Sequence, residues 1–201
     1  IEVVEFADGS SIRLMENSRL DYVPVERQSP INRRAVLEGN ALFDITPQQL
    51  GFIVETPSAS ATVMGTLFGV VATEEQTDVT LVEGRVALTG ADRPDAAIVL
   101  EPGQQSTVRR GAMPSTPQDV DVVAELAWTE LFIFRSEPLT DIARQLADHF
   151  GVRIDVDPSL TGELITGTFD RGESVEAILR TLAAAVDARL EIRSGGFLLA
   201  P

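Results

Sequence analysis

A helix-and-strand pattern that occurs twice, 36 residues apart, places the strongest constraint on the fold of this chain. The first copy has apolar residues at the spacing of one helical face, namely Leu139, Ile142, Ala143, Leu146 and Phe150. Residues 152–156 then alternate apolar and polar side chains, which is typical of a strand. The positions shifted by 36 are also apolar: Val175, Ile178, Leu179, Leu182, Val186, Ala188, Leu190 and Ile192. The sequence therefore predicts two copies of one helix–strand unit.

Three further apolar segments, at residues 131–135, 163–169 and 196–199, are strand candidates around these copies. Pro138 is compatible with the first turn of the first helix, and Gly151 is a suitable residue to end it. The predicted order is β-α-β-β-α-β-β. We expect each helix to bury its apolar face against one small sheet that the two copies share.

Residues 1–110 follow a different pattern, in which short apolar runs are separated by glycine-containing turns. These turns are Asp8-Gly9, Glu38-Gly39, Glu83-Gly84 and Pro102-Gly103. Glycine adopts the positive φ that hairpin turns require, so each turn is predicted to join two paired strands. We predict an all-β domain, either a sandwich or a short solenoid. The whole chain is thus expected to be an α+β multidomain protein.

The predicted domains are residues 1–110, a linker at 111–119, and residues 120–201. The linker assignment rests on two prolines, one glycine and small polar residues, which are typical of linkers. Residues 120–131 have an apolar side and are predicted to form a short helix that leads into the second domain.

The composition excludes several classes of function. The net charge is −15 and all 16 basic residues are arginines, so the chain repels phosphate backbones and nucleic acid is not expected as a partner. The chain has no cysteine, which excludes a thiol nucleophile and an iron–sulfur cluster. Its one histidine, His149, is predicted in the last turn of a helix and cannot form a two-histidine metal site. We therefore expect no metal and no cofactor.

Two acidic residues, Asp155 and Asp157, share one side of a predicted strand. They are expected to form its solvent-exposed face rather than a calcium site, because the rest of a calcium-binding loop is absent. No run of 18 apolar residues occurs, so we expect no membrane-spanning helix within this sequence.

The run VMGTLFGV at residues 63–70 raises a separate question, because two glycines interrupt an otherwise apolar strand. One interpretation is packing, in which Gly65 allows a close approach of another segment. The other is self-cleavage, in which the Thr66 hydroxyl attacks the Gly65 carbonyl carbon and the peptide C–N bond breaks. The acyl group thereby moves from the Thr66 nitrogen to its oxygen, and water hydrolyses the resulting ester. The candidate residues for this single-turnover reaction are Gly65 and Thr66.

The second half resembles the STN domain, the short domain found at the N-terminus of secretins and TonB-dependent transporters. The residues that carry this resemblance are 137–160, EPLTDIARQLADHFGVRIDVDPSL, and 165–200, which begin ITGTFDRGESVEAIL. The first half resembles the periplasmic domain of the FecR family of anti-sigma factors. Its matching segments are FADGSSIRLMENSRL, RAVLEGNALFDI, VMGTLFGV, LVEGRVAL and LEPGQQ, followed by the tryptophan-led junction AWTELFIFRSEPLTDIA.

The FecR resemblance implies a role in signalling. Members of that family sense an occupied outer-membrane transporter through the periplasm and relay its state to a sigma factor. The implied partners are the N-terminal signalling domain of a TonB-dependent transporter and a sigma factor. The family's cytoplasmic segment and membrane helix would precede Ile1. The implied location is the periplasmic side of an inner-membrane single-pass protein that regulates iron or siderophore uptake.

For the contact with the transporter, we expect an added strand at Glu163, Leu164, Ile165 and Thr166, because main-chain pairing suits an exposed sheet edge. The alternative is that this strand is paired within its own domain. Two other functions stay open. The chain could be an assembly protein of a secretin-type channel, against which the Asp-Gly-Ser and Gly-Thr runs argue, or an enzyme that uses paired carboxylates.

Overall fold

The structure is a computed structural model, and it describes residues 1–24 and 31–201. These residues form two compact units, Ile1–Thr129 and Glu130–Pro201. The first unit consists mainly of strands and the second combines strands with two helices, so the chain belongs broadly to the α+β class. Among the described residues, no helix has both the length and the apolar character needed to cross a membrane.

The described residues of the first unit form one branched sheet of twelve strands. The strands are β1 (Glu2–Glu5), β2 (Ser11–Leu14), β3 (Arg19–Pro24), β4 (Ile31–Ile45), β5 (Gly51–Glu55), β6 (Ala59–Val63), β7 (Thr66–Ala72), β8 (Gln76–Glu83), β9 (Val86–Gly90), β10 (Arg93–Leu100), β11 (Gln104–Arg109) and β12 (Gln118–Asp119). The main path is β10-β9-β6-β5-β4-β7-β8-β11-β12, with β2 and β3 attached to β4 and β1 attached to β2. A one-turn helix α1 (Val122–Glu125) and a 3-10 helix at Ala127–Thr129 follow.

The long strand β4 connects the two halves of this sheet. Its first half pairs with β3 and β5, and its second half pairs with β2 and β7. The halves meet at Gly39, whose φ of +94° is a conformation that favours glycine. A side chain there would also collide with Ser18, since an added Cβ would lie 2.5 Å from the Ser18 hydroxyl oxygen. Both halves bury side chains in a single core, in which the rings of Phe43 and Phe68 stack with centroids 5.0 Å apart.

The predicted glycine turns agree with the structure in part. Asp8-Gly9 joins the antiparallel pair β1 and β2, as a hairpin turn should. Gly84 and Gly103 connect strands that pair with other neighbours, and Glu38-Gly39 lies inside β4. The prediction of hairpins at these three positions is therefore wrong. Positive φ explains why glycine occupies each of these positions, but it does not specify which strands pair on either side.

Residues 111–129 belong to the first compact unit, so the division of the chain lies later than the predicted domain boundary. The predicted linker returns to the sheet, where the Ser115 amide donates to the Thr107 carbonyl oxygen at 2.9 Å. Leu126, within the predicted leading helix and directly after the observed α1, is 1% exposed and lies directly over Gly69. These contacts attach the segment to the first unit.

The second unit follows the predicted order of helices and strands. Its elements are β13 (Leu131–Pro138), α2 (Leu139–Phe150), β14 (Arg153–Val156), a 3-10 helix at Pro158–Leu160, β15 (Leu164–Asp170), α3 (Val175–Ala185), β16 (Arg189–Arg193) and β17 (Gly196–Ala200). The strands form two sheets, a β13-β15 pair and a β14-β17-β16 triplet. The expectation of one shared sheet is therefore wrong.

The two copies nevertheless place their equivalent strands in the same sheets. Their first strands, β13 and β15, pair antiparallel, and their second strands, β14 and β16, flank β17 on either side. The helices pack between strands of both sheets around one core, in which Leu146 and Leu182 are fully buried. The apolar pattern predicted the burial of these two residues because each helix has one apolar face, and burial of that face is favourable.

The two helices end alike. Val152 and Ala188 donate their amides to the carbonyl oxygens of Ala147 and Ala183, five residues earlier. The left-handed residue before each is Gly151, with φ +65°, in the first copy and Asp187, with φ +53°, in the second.

We expect Asp187→Gly to stabilise the second unit by about 0.5–1 kcal/mol, because glycine adopts this φ without the clash that a Cβ introduces. Equilibrium denaturation of the full chain would measure the change. Gly151→Ala is the reciprocal variant and should lower stability by a similar amount. A loss of stability in Asp187→Gly would contradict this explanation of the helix ends.

Candidate functional site

The predicted site residues lie in different compact units. Gly65 and Thr66 are at the start of β7 in the first unit, whereas Glu163–Thr166 includes the start of β15 in the second. The structure does not bring them into one site, so each is described separately.

Close packing accounts for both glycines of the run at residues 63–70. A Cβ added to Gly65 would lie 2.6 Å from the Cα of Pro47. A Cβ added to Gly69 would lie 2.3 Å from a methyl group of Leu126 and 3.3 Å from the ring of Trp128. Neither position can hold a side chain without movement of its neighbours, which agrees with the packing interpretation.

The surroundings of Thr66 define what its hydroxyl can do. The hydroxyl donates to the carbonyl oxygen of Arg85 at 3.1 Å, and the residue is 3% exposed. Gly65 and Thr66 border an open cavity of about 330 Å³ that Pro47, Met64, Gly84 and Arg85 also line. Water can therefore approach this peptide bond. The carbonyl oxygen that accepts the hydroxyl proton is not a base that can remove it.

Two carboxylates lie near this segment, a feature that the sequence analysis missed. Asp44 and Glu83 both pair with Leu67, from β4 and β8 on either side of β7. Burial, together with the charge of Glu83, raises the pKa of Asp44 above its usual value. Successive residues of a strand point to opposite faces, so this pair lies on the side of the sheet away from the Thr66 hydroxyl. The register that assembles the pair is not visible in sequence spacing.

Self-cleavage at Gly65–Thr66 stays a prediction. It requires that purified protein contain fragments of 65 and 136 residues, and that these fragments disappear in Thr66→Ala, which lacks the attacking oxygen. Thr66→Ser keeps a hydroxyl and should still yield them. Intact-mass spectrometry of all three proteins after identical storage would measure this. Intact chain alone in the wild-type protein would exclude the reaction and leave packing as the role of Gly65.

The four residues predicted to bind a partner have different environments. Leu164 is 60% exposed, whereas Ile165 is 6% exposed and packs in the core of the second unit. The carbonyl oxygen of Glu163 accepts a hydrogen bond from the Leu139 amide at 2.9 Å. The hydroxyl of Thr166 accepts one from the Ser136 amide, also at 2.9 Å. Leu164 is thus the exposed apolar side chain of this group.

The strand β15 pairs with β13 on one side, and no other strand in residues 1–24 and 31–201 pairs with it. The other edge strands of this unit carry features that oppose strand addition. In β13, a bulge at Arg135 and Ser136, where Ser136 has φ +45°, is followed by Pro138. Charged side chains occupy β14 and β16, at Arg153, Asp155, Arg189, Glu191 and Arg193. Residues 164–169 of β15 contain no charge, no proline and no bulge.

The remaining residues singled out by the sequence have structural contacts. His149 lies in the last turn of α2, with its ring 4.9 Å from that of Phe132 and 4.8 Å from that of Phe150. Asp155 accepts from Arg153 at 2.9 Å. Asp157 caps the 3-10 helix at Pro158, and hydrogen bonds from the Ser159 amide and hydroxyl lower its pKa. Both carboxylates thus have protein partners.

Comparison with solved structures gives a match over nearly the whole chain. Two crystal structures of a proposed anti-sigma factor from Parabacteroides distasonis ATCC 8503, at 1.65 Å and 2.50 Å resolution, are 26% and 25% identical to this chain. The TM-score is 0.55 for each. The matches cover 98% and 99% of this chain and 93% of each solved chain. No protein of curated function matches the sequence.

Two family models also match, and they do so in the order that the sequence segments predicted. Residues 1–87 match the model described as FecR protein. Residues 131–197 match the model described as FecR, C-terminal. The second unit therefore matches this family's own C-terminal domain, and its resemblance to the STN domain stays a prediction. Because the two matches together span most of the chain and the fold agrees, we conclude that the chain belongs to the FecR family of anti-sigma factors.

Proposed function

We propose that this chain is the periplasmic, signal-sensing part of an anti-sigma regulator of iron or siderophore uptake. Its second unit binds the N-terminal signalling domain of a TonB-dependent outer-membrane transporter. The bound state is then relayed to a sigma factor. The single observation that supports this docking function best is the edge at residues 164–169 of β15, which contains no charge, no proline and no bulge.

The physical argument starts from the size of the sheet that contains β15. A two-stranded sheet is the least stable kind, and a third strand supplies main-chain hydrogen bonds along its whole length. A strand from the transporter domain would pair with β15, and its side chains would contact Leu164, which is already exposed. Membership of a regulator family gives no support to the enzyme alternative.

The experiment is a calorimetric titration of the full chain with the signalling domains of several TonB-dependent transporters. Secretin N-terminal domains are the control, because they test the assembly-protein alternative. Saturable 1:1 binding to one transporter domain, with no binding to the secretin domains, is the expected result. Binding to secretin domains alone would favour the assembly function, and binding to neither class would contradict both.

A further inference from the structure

The triplet sheet of the second unit has an outer face that the proposed function does not use. Residues that alternate along its strands pack against the helices: Ile154, Val156, Leu190, Phe197 and Leu199. Their neighbours therefore lie on the opposite face: Arg153, Asp155, Arg189, Glu191, Arg193, Gly196, Leu198 and Ala200. This outer face carries three of the chain's arginines next to two acids.

The strand register arranges these residues in rows across the sheet. Arg153 in β14 and Arg193 in β16 both pair with Gly196 in β17. The two arginines therefore lie on either side of a residue that has no side chain. The next row is Asp155 and Glu191 on either side of Leu198. Neighbouring strands lie about 4.8 Å apart, so the two arginine backbones are separated by roughly 10 Å, a gap that one planar anionic group can fill.

The glycine forms the floor of a small cleft. A Cβ on Gly196 would lie 2.3 Å from the Arg153 carbonyl oxygen, so no side chain can occupy this position without backbone movement. The cleft has a volume of about 240 Å³, and its lining includes Arg153, Arg193, the Asp155 carboxylate and the turn at Ser194 and Gly195.

Both arginines keep donors available. Arg153 bonds Asp155 through Nε, at 2.9 and 3.1 Å, and Arg193 bonds Glu191 through Nη2, at 3.0 Å. The two Nη groups of Arg153, and Nε and Nη1 of Arg193, have no hydrogen bond to any part of the chain that the structure describes. The side chains are 75% and 54% exposed.

We propose that this cleft binds a carboxylate side chain from an acidic, extended segment of a partner protein. The arginines on the two strands that flank Gly196 can offer paired N–H donors, which match the planar geometry of a carboxylate. Asp155 and Glu191 in the next row oppose a doubly charged phosphate more strongly than a singly charged carboxylate. The site does not depend on the transporter docking proposed above, because it lies on the other sheet of the unit.

The test is an NMR titration of the ¹⁵N-labelled full chain with a synthetic hexapeptide rich in glutamate. The matching glutamine peptide and inorganic phosphate are parallel arms. We expect the glutamate peptide to shift the amides of residues 194–196 in a saturable, salt-sensitive manner, and the glutamine peptide to leave them unchanged. Arg153→Gln and Arg193→Gln should each weaken binding about five- to tenfold.

Arg180→Gln is the matched control. Arg180 is 62% exposed and bonds one acid, Glu176 at 2.6 Å, so its substitution changes the net charge equally but lies on α3. It should alter the affinity less than twofold. Equal weakening by all three substitutions would show non-specific charge attraction and would overturn the proposal. So would an absence of shifts at residues 194–196, or tighter binding of phosphate than of the peptide.

Discussion

Asp8→Ala is expected to destabilise the first unit by about 3 kcal/mol, because it leaves the Arg33 guanidinium in the core without its counter-charge. Arg33 is 6% exposed, and its guanidinium carbon lies 5.2 Å from the centre of the Phe52 ring. The Asp8 carboxylate accepts from Arg33 at 2.5 Å, from Gln48 at 2.7 Å and from the Ser10 amide at 2.9 Å. Equilibrium denaturation would measure the loss.

One control variant separates the ion pair from general damage to the turn. Asp8→Ala combined with Arg33→Met should be more stable than Asp8→Ala alone, because methionine removes the unpaired charge and keeps apolar volume in the core. A loss below about 1 kcal/mol in Asp8→Ala, or no recovery in the double variant, would contradict this account.

The same carboxylate should make stability depend on pH. Burial alone would raise the pKa of Asp8, but hydrogen bonds from Ser10 and the charge of Arg33 outweigh it and hold the pKa below its usual value. Because the pKa of Asp8 is lower in the folded state, its charged carboxylate stabilises the fold in full above the ordinary aspartate pKa of about 3.9. It is lost as the pH falls through the folded value. The stability difference between wild type and Asp8→Ala should therefore shrink below about pH 4.

Leu164→Lys should weaken binding of the transporter signalling domain by at least about tenfold, because lysine on an edge strand opposes pairing with an incoming strand. The side chain is 60% exposed, so the domain itself should remain folded. Titration calorimetry against the partner identified for the wild-type chain would measure the change, and circular dichroism would verify the fold.

Ile192→Lys is the matched control for this substitution. Ile192 is 61% exposed and also lies on an edge strand, β16, but in the other sheet. It introduces the same charge and should change the affinity less than about twofold. An equal loss in both variants would mean that added charge, and not the β15 edge, determines binding.

The second unit was predictable because its signal is local and occurs twice. Leu146 and Leu182, equivalent in the two copies, are both fully buried, and both helices end near the predicted residues. The number of sheets was not predictable, because the pairing of β17 between β14 and β16 depends on contacts distant in sequence.

The first unit was less predictable for the same physical reason. Gly39 has the turn conformation that the sequence indicates, yet strands pairing on both sides hold it inside β4. Residues 111–119 have linker composition, and the sequence gives no sign that Ser115 returns to β11. Backbone propensity describes the conformation that a residue prefers by itself, whereas strand pairing depends on residues that are distant in the sequence.

The candidate sites show the same limit. The sequence predicts an edge strand at Glu163–Thr166. The contrast between this edge and β13 depends on the bulge at Ser136, which has no local sequence signal. The pair Asp44 and Glu83, and the cleft between Arg153 and Arg193, arise from strand register alone.

The most direct test of the docking function is hydrogen exchange of the full chain with and without its transporter signalling domain. Addition of a partner strand predicts slower amide exchange in residues 164–169, with β14 and β16 unchanged. Binding that slows exchange at β14 or β16 and leaves residues 164–169 unaffected would contradict docking at β15.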